Sequence, residues 1–98
     1  MTTTLTDQER IQLQRKTVAE HVEGECTHDY TRVNATFVQA DRAYYQVVAG
    51  GIQYDGIRGV ESFYELLDQV LPDLTWTVTH EYDVPGCSIR EGTASGTH

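Results

Sequence analysis

The chain has 98 residues, enough for one domain near the lower end of the usual size range, and 39% of them are hydrophobic. Seven Lys and Arg against fifteen Asp and Glu give a net charge of −8, which argues against nucleic acid and anionic membrane surfaces, since both need clustered cations. No apolar run approaches the ~20 residues that cross a bilayer, and MTTTLTDQER lacks the apolar stretch of a signal peptide. Cys26 and Cys87 match no zinc or CxxC spacing, so the expectation is two reduced cysteines in a cytoplasmic protein that holds no metal and no cofactor.

Taken in chain order, Thr6-Asp7-Gln8-Glu9 has the form of a capping box and opens a first helix. That helix is expected to run to about Val22 or Glu23, with Ile11, Val18 and Val22 inward, and Gly24 to weaken or end it. Asp29 can cap a second helix that aligns Tyr30, Val33 and Phe37, and Gln39 to Arg42 is a polar break. Tyr44 to Val48 is rich in strand formers, and Gly50-Gly51 predicts a turn into Ile52-Gln53-Tyr54.

Asp55-Gly56 closes that hairpin. A third helix is expected from about Val60, where Val60, Phe63, Tyr64, Leu67 and Leu71 form one stripe, until Pro72 stops it. From Leu74 to Val84 the even positions Leu74, Trp76, Val78, His80 and Tyr82 alternate with Thr75, Thr77, Thr79 and Glu81, the pattern of a half-buried strand. Pro85-Gly86 turns the chain into a last strand from Cys87 to Thr97, weakened by Gly92 and Gly96. The order helix, helix, hairpin, helix, strand, strand is an α+β layout with helices on one face of an antiparallel sheet.

His80 shares strand parity with Trp76, so it should face the concave side as a proton-transfer group; the competing readings are a core histidine or a strand-end histidine reaching solvent. Trp76 and Phe63 read as pocket wall or core. Asp55 and Arg58 read as a turn-stabilising carboxylate and a surface cation. Glu20, Glu23, Glu25, Glu61, Glu65 and Asp68 are expected mostly on outward helix faces, in solvent. His21 and His28 would align only on an uninterrupted helix, and Gly24 is expected to break it, so no metal site is predicted.

HDYTRVNATF, AYYQVVAGGIQYDGIRGVESFY, PDLTWTV and EGTASGTH, in this order and spacing, resemble the nuclear transport factor 2-like superfamily, in its SnoaL-like polyketide cyclase and steroid isomerase branch. The resemblance covers the chain from about Gln12 as a single domain. It implies a cone: a strongly curved antiparallel sheet wrapped around helices, with a pocket at its open end. Relatives continue past the GTH segment with two more strands, so the domain is expected to be incomplete after its fourth strand.

In the steroid isomerases a Tyr on the first helix donates to the oxyanion and a second Tyr supports it. The matching positions here are His21 and Tyr64, which predicts a His21–Tyr64 hydrogen bond at the pocket floor. Their carboxylate base on the first strand is matched by Val47, so that design of chemistry is not expected. Tyr45 should point the same way as Val47 and line the cavity or the core.

The resemblance thus implies a cyclase, isomerase, dehydratase or hydrolase acting by acid/base chemistry on a small hydrophobic molecule. His21, Tyr64 and His80 are its catalytic candidates, and Tyr45, Val47, Phe63 and Trp76 its substrate-binding ones. The alternative is a non-catalytic ligand-binding or dimerisation module. A homodimer is implied in either case, with the Thr75, Thr77, Thr79 and Glu81 face as its patch.

Overall fold

The computed structural model describes residues 4–39 and 41–97. Helix α1 spans Asp7–Cys26, α2 Tyr30–Ala35 and α3 Gly56–Val70; the strands are β1 Tyr44–Val47, β2 Ile52–Asp55, β3 Thr75–Val84 and β4 Cys87–Ser95. The order is the α+β one expected, but the strands form two separate antiparallel hairpins, β1–β2 and β3–β4, rather than one continuous sheet. The reason is local. The four-residue strands β1 and β2 spend their packing on α3, where Gly59 sits so close to Tyr54 that a Cβ would lie 2.9 Å from its carbonyl carbon. Helix α1, not β1, backs the long hairpin.

The capping box opens α1 as predicted: Glu9 N–H donates to Thr6 Oγ1 and Thr6 N–H to Glu9 Oε1. Gly24, however, does not end the helix, which runs on to Cys26. Its missing side chain serves packing instead, because a Cβ there would lie 2.8 Å from Val33 Cγ2 on α2. The helix closes with the paired bonds Asp29 N–H to Gly24 O and His28 N–H to Glu25 O. This closure puts His28 in the left-handed region at φ 58°, where histidine is tolerated better than most residues. Its ring holds the turn in place, with Nε2 donating to Leu74 O at 2.9 Å.

Val33, Val60 and Tyr64 are fully buried where α2 and α3 meet, with Tyr30, Phe37, Tyr45, Ile57, Phe63 and Leu67 around them. Burial is otherwise sparse. The Cα radius of gyration is 14.5 Å, against about 13 Å for a tightly packed chain of this length.

The β3–β4 hairpin lies along α1, and polar clamps fix it at the tip. The Gln14 amide holds the Pro85-Gly86 turn by donating to Val84 O and Ser88 Oγ and accepting from Gly86 N–H. The Asp83 side chain, nearly inaccessible to water, accepts from Arg15 at 2.7 Å and Arg90 at 3.0 Å.

The alternation predicted for β3 breaks midway. Val78 pairs with Gly92 but His80 with Glu91, leaving Thr79 as the extra residue of a bulge. Before it, Trp76 and Val78 face α1; beyond it Asp83 does, and His80, Tyr82 and Val84 turn outward. The patch of Thr75, Thr77, Thr79 and Glu81 is therefore not one face. Glu81 stands across from Arg90, whose Nε lies 3.6 Å from its carboxylate.

Candidate functional site

The stripe Val18, His21, Val22 and Glu25 follows the helical period along α1 and lines one wall of a cavity of about 470 Å³. Tyr45, Phe63 and Leu67 form a second wall, and Leu71, Leu74, Trp76 and Ala94 a third. Among the described residues, the titratable groups that line it are His21, Glu25 and the Tyr45 phenol.

Glu25 is the centre of the polar cluster, and it overturns the expectation that it is solvated. Only 9% of the residue is accessible. Its Oε2 accepts from the Tyr64 hydroxyl at 3.0 Å and its Oε1 from Trp76 Nε1 at 3.0 Å. His21 Nε2 lies 3.3 Å from Oε1 and 3.1 Å from the Tyr64 oxygen, the latter being the His21–Tyr64 contact set out above. Burial pushes the Glu25 carboxyl up, but the hydrogen bond and charge of His21, with the Tyr64 and Trp76 donors, outweigh it and leave it below its ordinary range. Burial, then the Glu25 charge, pushes the Tyr64 phenol well up, so Tyr64 keeps its proton.

Several predicted site residues change place. Tyr64 is fully buried behind His21 and Glu25 and does not line the cavity. His80 is not concave at all: the bulge turns it outward, its side chain is 61% exposed, and it stacks on Tyr82 beside Glu91. Val47 shares the half-buried face of β1 with Tyr45 but is absent from the cavity wall. Tyr45 and Phe63 do line it, stacked with ring centroids 4.0 Å apart, and so does Trp76. His98 lies outside the described residues.

Two members of this polar cluster are not among the site residues expected from the sequence. Glu25 is the residue four after His21 and seven after Val18, so the stripe was visible once Gly24 is not read as a stop. Thr36, just past α2, accepts from or donates to His21 Nδ1 at 2.8 Å, and nothing in its sequence context marks it. Among the described residues no three His, Cys, Asp or Glu side chains gather as a metal ion would need. Nor is any described helix long and apolar enough to cross a membrane. Cys26 and Cys87 are both free thiols.

The fold is that of the SnoaL-like, nuclear transport factor 2-like proteins. It matches, with a TM-score of 0.58, the crystal structure of a protein described as a SnoaL-like polyketide cyclase, from Shewanella denitrificans OS-217. The two chains are 12% identical, and the match covers 82% of this chain and 73% of that one. No protein-family model matches the sequence, and no curated protein does.

Proposed function

We propose that the cavity binds a small, uncharged, largely apolar molecule and that His21 and Glu25 move a proton on it, as in a cyclase, isomerase or dehydratase that needs no cofactor. The observation that carries this reading is the placement of an imidazole and a carboxylate 3.3 Å apart on the wall of an otherwise apolar cavity. Such a pair can give a proton at one atom of a substrate and take one from another. No Lys or Arg lines the cavity to hold an anionic group, which favours a neutral ligand. Tyr64 serves from behind, as a donor that keeps Glu25 aimed. The protein works in the cytoplasm, where its two thiols stay reduced.

Trp76 is the chain's single tryptophan and sits in the wall, so its emission reports occupancy directly. A neutral polycyclic ketone should change that emission saturably, and its carboxylate analogue should bind about ten-fold more weakly, ~1.4 kcal/mol. Filling the cavity with Val22→Trp, read by equilibrium dialysis, should remove binding. Equal affinity for the neutral and anionic probes, or for the filled variant, would overturn the pocket. Solvent deuterium should enter the bound ketone's acidic C–H position, and His21→Gln should abolish that exchange. Binding without exchange selects the non-catalytic module.

A second reading, self-association, is favoured by the outward face of the long hairpin. Tyr82, Val84 and Ile89 are each more than half exposed there, and Tyr82 pairs directly with Ile89. A homodimer would cover them. Ile89→Arg should shift elution from a sizing column toward the monomer, and an unchanged profile counts against this face.

A further inference from the structure

The hydrogen bonds around His21 decide which of its ring nitrogens carries a proton. Thr36 Oγ1 lies 2.6 Å from Val33 O and 2.8 Å from His21 Nδ1. A hydroxyl has one proton, and a carbonyl can only accept, so that proton goes to Val33 O. Thr36 Oγ1 is then an acceptor toward the ring, and His21 Nδ1 must be the donor. The other nitrogen, Nε2, is left to face Tyr64 and Glu25.

We infer that Thr36 is a positioning residue that pins a proton on His21 Nδ1 and so confines proton exchange in the site to the path Nε2–Tyr64–Glu25. This deepens the acid–base reading above and rests on it for its purpose, though not for its test. In one arrangement Nε2–H donates toward the Tyr64 oxygen and Glu25 Oε1, while the Tyr64 hydroxyl donates to Glu25 Oε2. In the other, the Tyr64 proton has passed to Oε2 and the Nε2 proton to the Tyr64 oxygen. The imidazolium and carboxylate become neutral imidazole and carboxylic acid, Tyr64 remains a phenol, and the cluster's total charge is unchanged.

Both arrangements use the same heavy-atom positions, since 3.0 Å and 3.1 Å suit a proton on either side. Only the Nδ1–H form of the neutral ring can take part, because it alone leaves Nε2 with a lone pair. A ring free to carry its proton on Nε2 could not accept. Phe37, whose ring meets that of His21 edge-on at 5.4 Å, offers no competing acceptor. Thr36 therefore makes His21 a base on the side of Tyr64 and Glu25.

The test is the tautomer of His21, read by long-range proton–nitrogen correlation spectra of the whole ¹⁵N-labelled chain without any ligand. In the native protein and in Thr36→Ser, Nδ1 should stay protonated at every pH where the fold persists. In Thr36→Val, the neutral ring should switch to the Nε2–H form, while the Trp76 indole signal stays in place to show that the fold and Glu25 are intact. A native neutral ring with bare Nδ1, or a Thr36→Val ring that keeps Nδ1 protonated, would overturn the inference. Should Thr36→Val lose the indole signal, Thr36→Ala gives the same comparison, and the native tautomer alone still decides against a wrong assignment. The expected tautomers in a protein that binds no apolar probe would sink the pocket and leave this inference standing; the reverse result would do the opposite.

Discussion

Glu25→Ala should lower unfolding stability by about 3 kcal/mol, because it takes the shared acceptor from a buried hydroxyl, an indole N–H and an imidazole at once. Chains of this length are commonly stable by about 5–15 kcal/mol, and this one buries few large side chains completely. A loss of about 3 kcal/mol raises the unfolded fraction on the order of a hundred-fold. Urea unfolding followed by Trp76 emission measures the effect. Glu25→Gln keeps the volume and one acceptor oxygen, and should cost about half as much.

The two variants also separate charge from shape through pH. Glu25 is more acidic folded than its ordinary 4.5, so its ionised form stabilises the fold at neutral pH. That contribution is complete above the ordinary value and disappears as pH falls through the lower, folded one. Asp83 adds a second acid-sensitive step between 3.8 and about 2, where the Ser88 hydrogen bond and the Arg90 and Arg15 guanidiniums hold it. Glu9, Glu20 and Asp73 are also held below their ordinary values by hydrogen bonds from Thr6, Arg32 and Thr97, so both proteins should lose stability on acidification, and Glu25→Gln should lose less of it by the share that Glu25 contributes. An identical acid profile for the two proteins would show that the Glu25 charge contributes nothing.

Gly92→Ala should cost about 2 kcal/mol and should disturb the site from outside it. A Cβ at this position would run into Thr77 O and lie 3.0 Å from Trp76 Cε3. Thr77 O is backbone and cannot yield cheaply, so either the hairpin opens or the indole tilts away from α1. Either movement lengthens the Trp76–Glu25 hydrogen bond. The indole N–H resonance should move toward its solvent-exposed position, and emission should shift to the red. A variant within about 0.5 kcal/mol of the native protein, with an unmoved indole signal, would contradict the packing described.

Much of the fold was legible because its periods are clean. The Val60–Leu71 stripe, the Thr6 box, the Pro72 stop and the two Gly-marked turns each reflect physics confined to a few neighbouring residues. What was hidden depends on partners far along the chain. Gly24 looks like a helix stop until Val33 is seen pressed against it, and that misreading removed Glu25 from the inner face. His80 had the right parity for a cavity residue, but a one-residue bulge is invisible in an alternating pattern and reverses every side chain beyond it. Thr36 acquires meaning only from the ring that the helix pair sets beside it. The His21–Tyr64 contact was reachable from the sequence because the resemblance supplied the tertiary partner that local patterning lacks.

The bulge at Thr79 has a geometric corollary. One ribbon is divided into a root that shapes the cavity through Trp76 and an outer limb anchored by Gln14, Arg15 and Arg90. A single extra amino acid thus splits a uniform strand into two stretches whose inward faces have opposite parity.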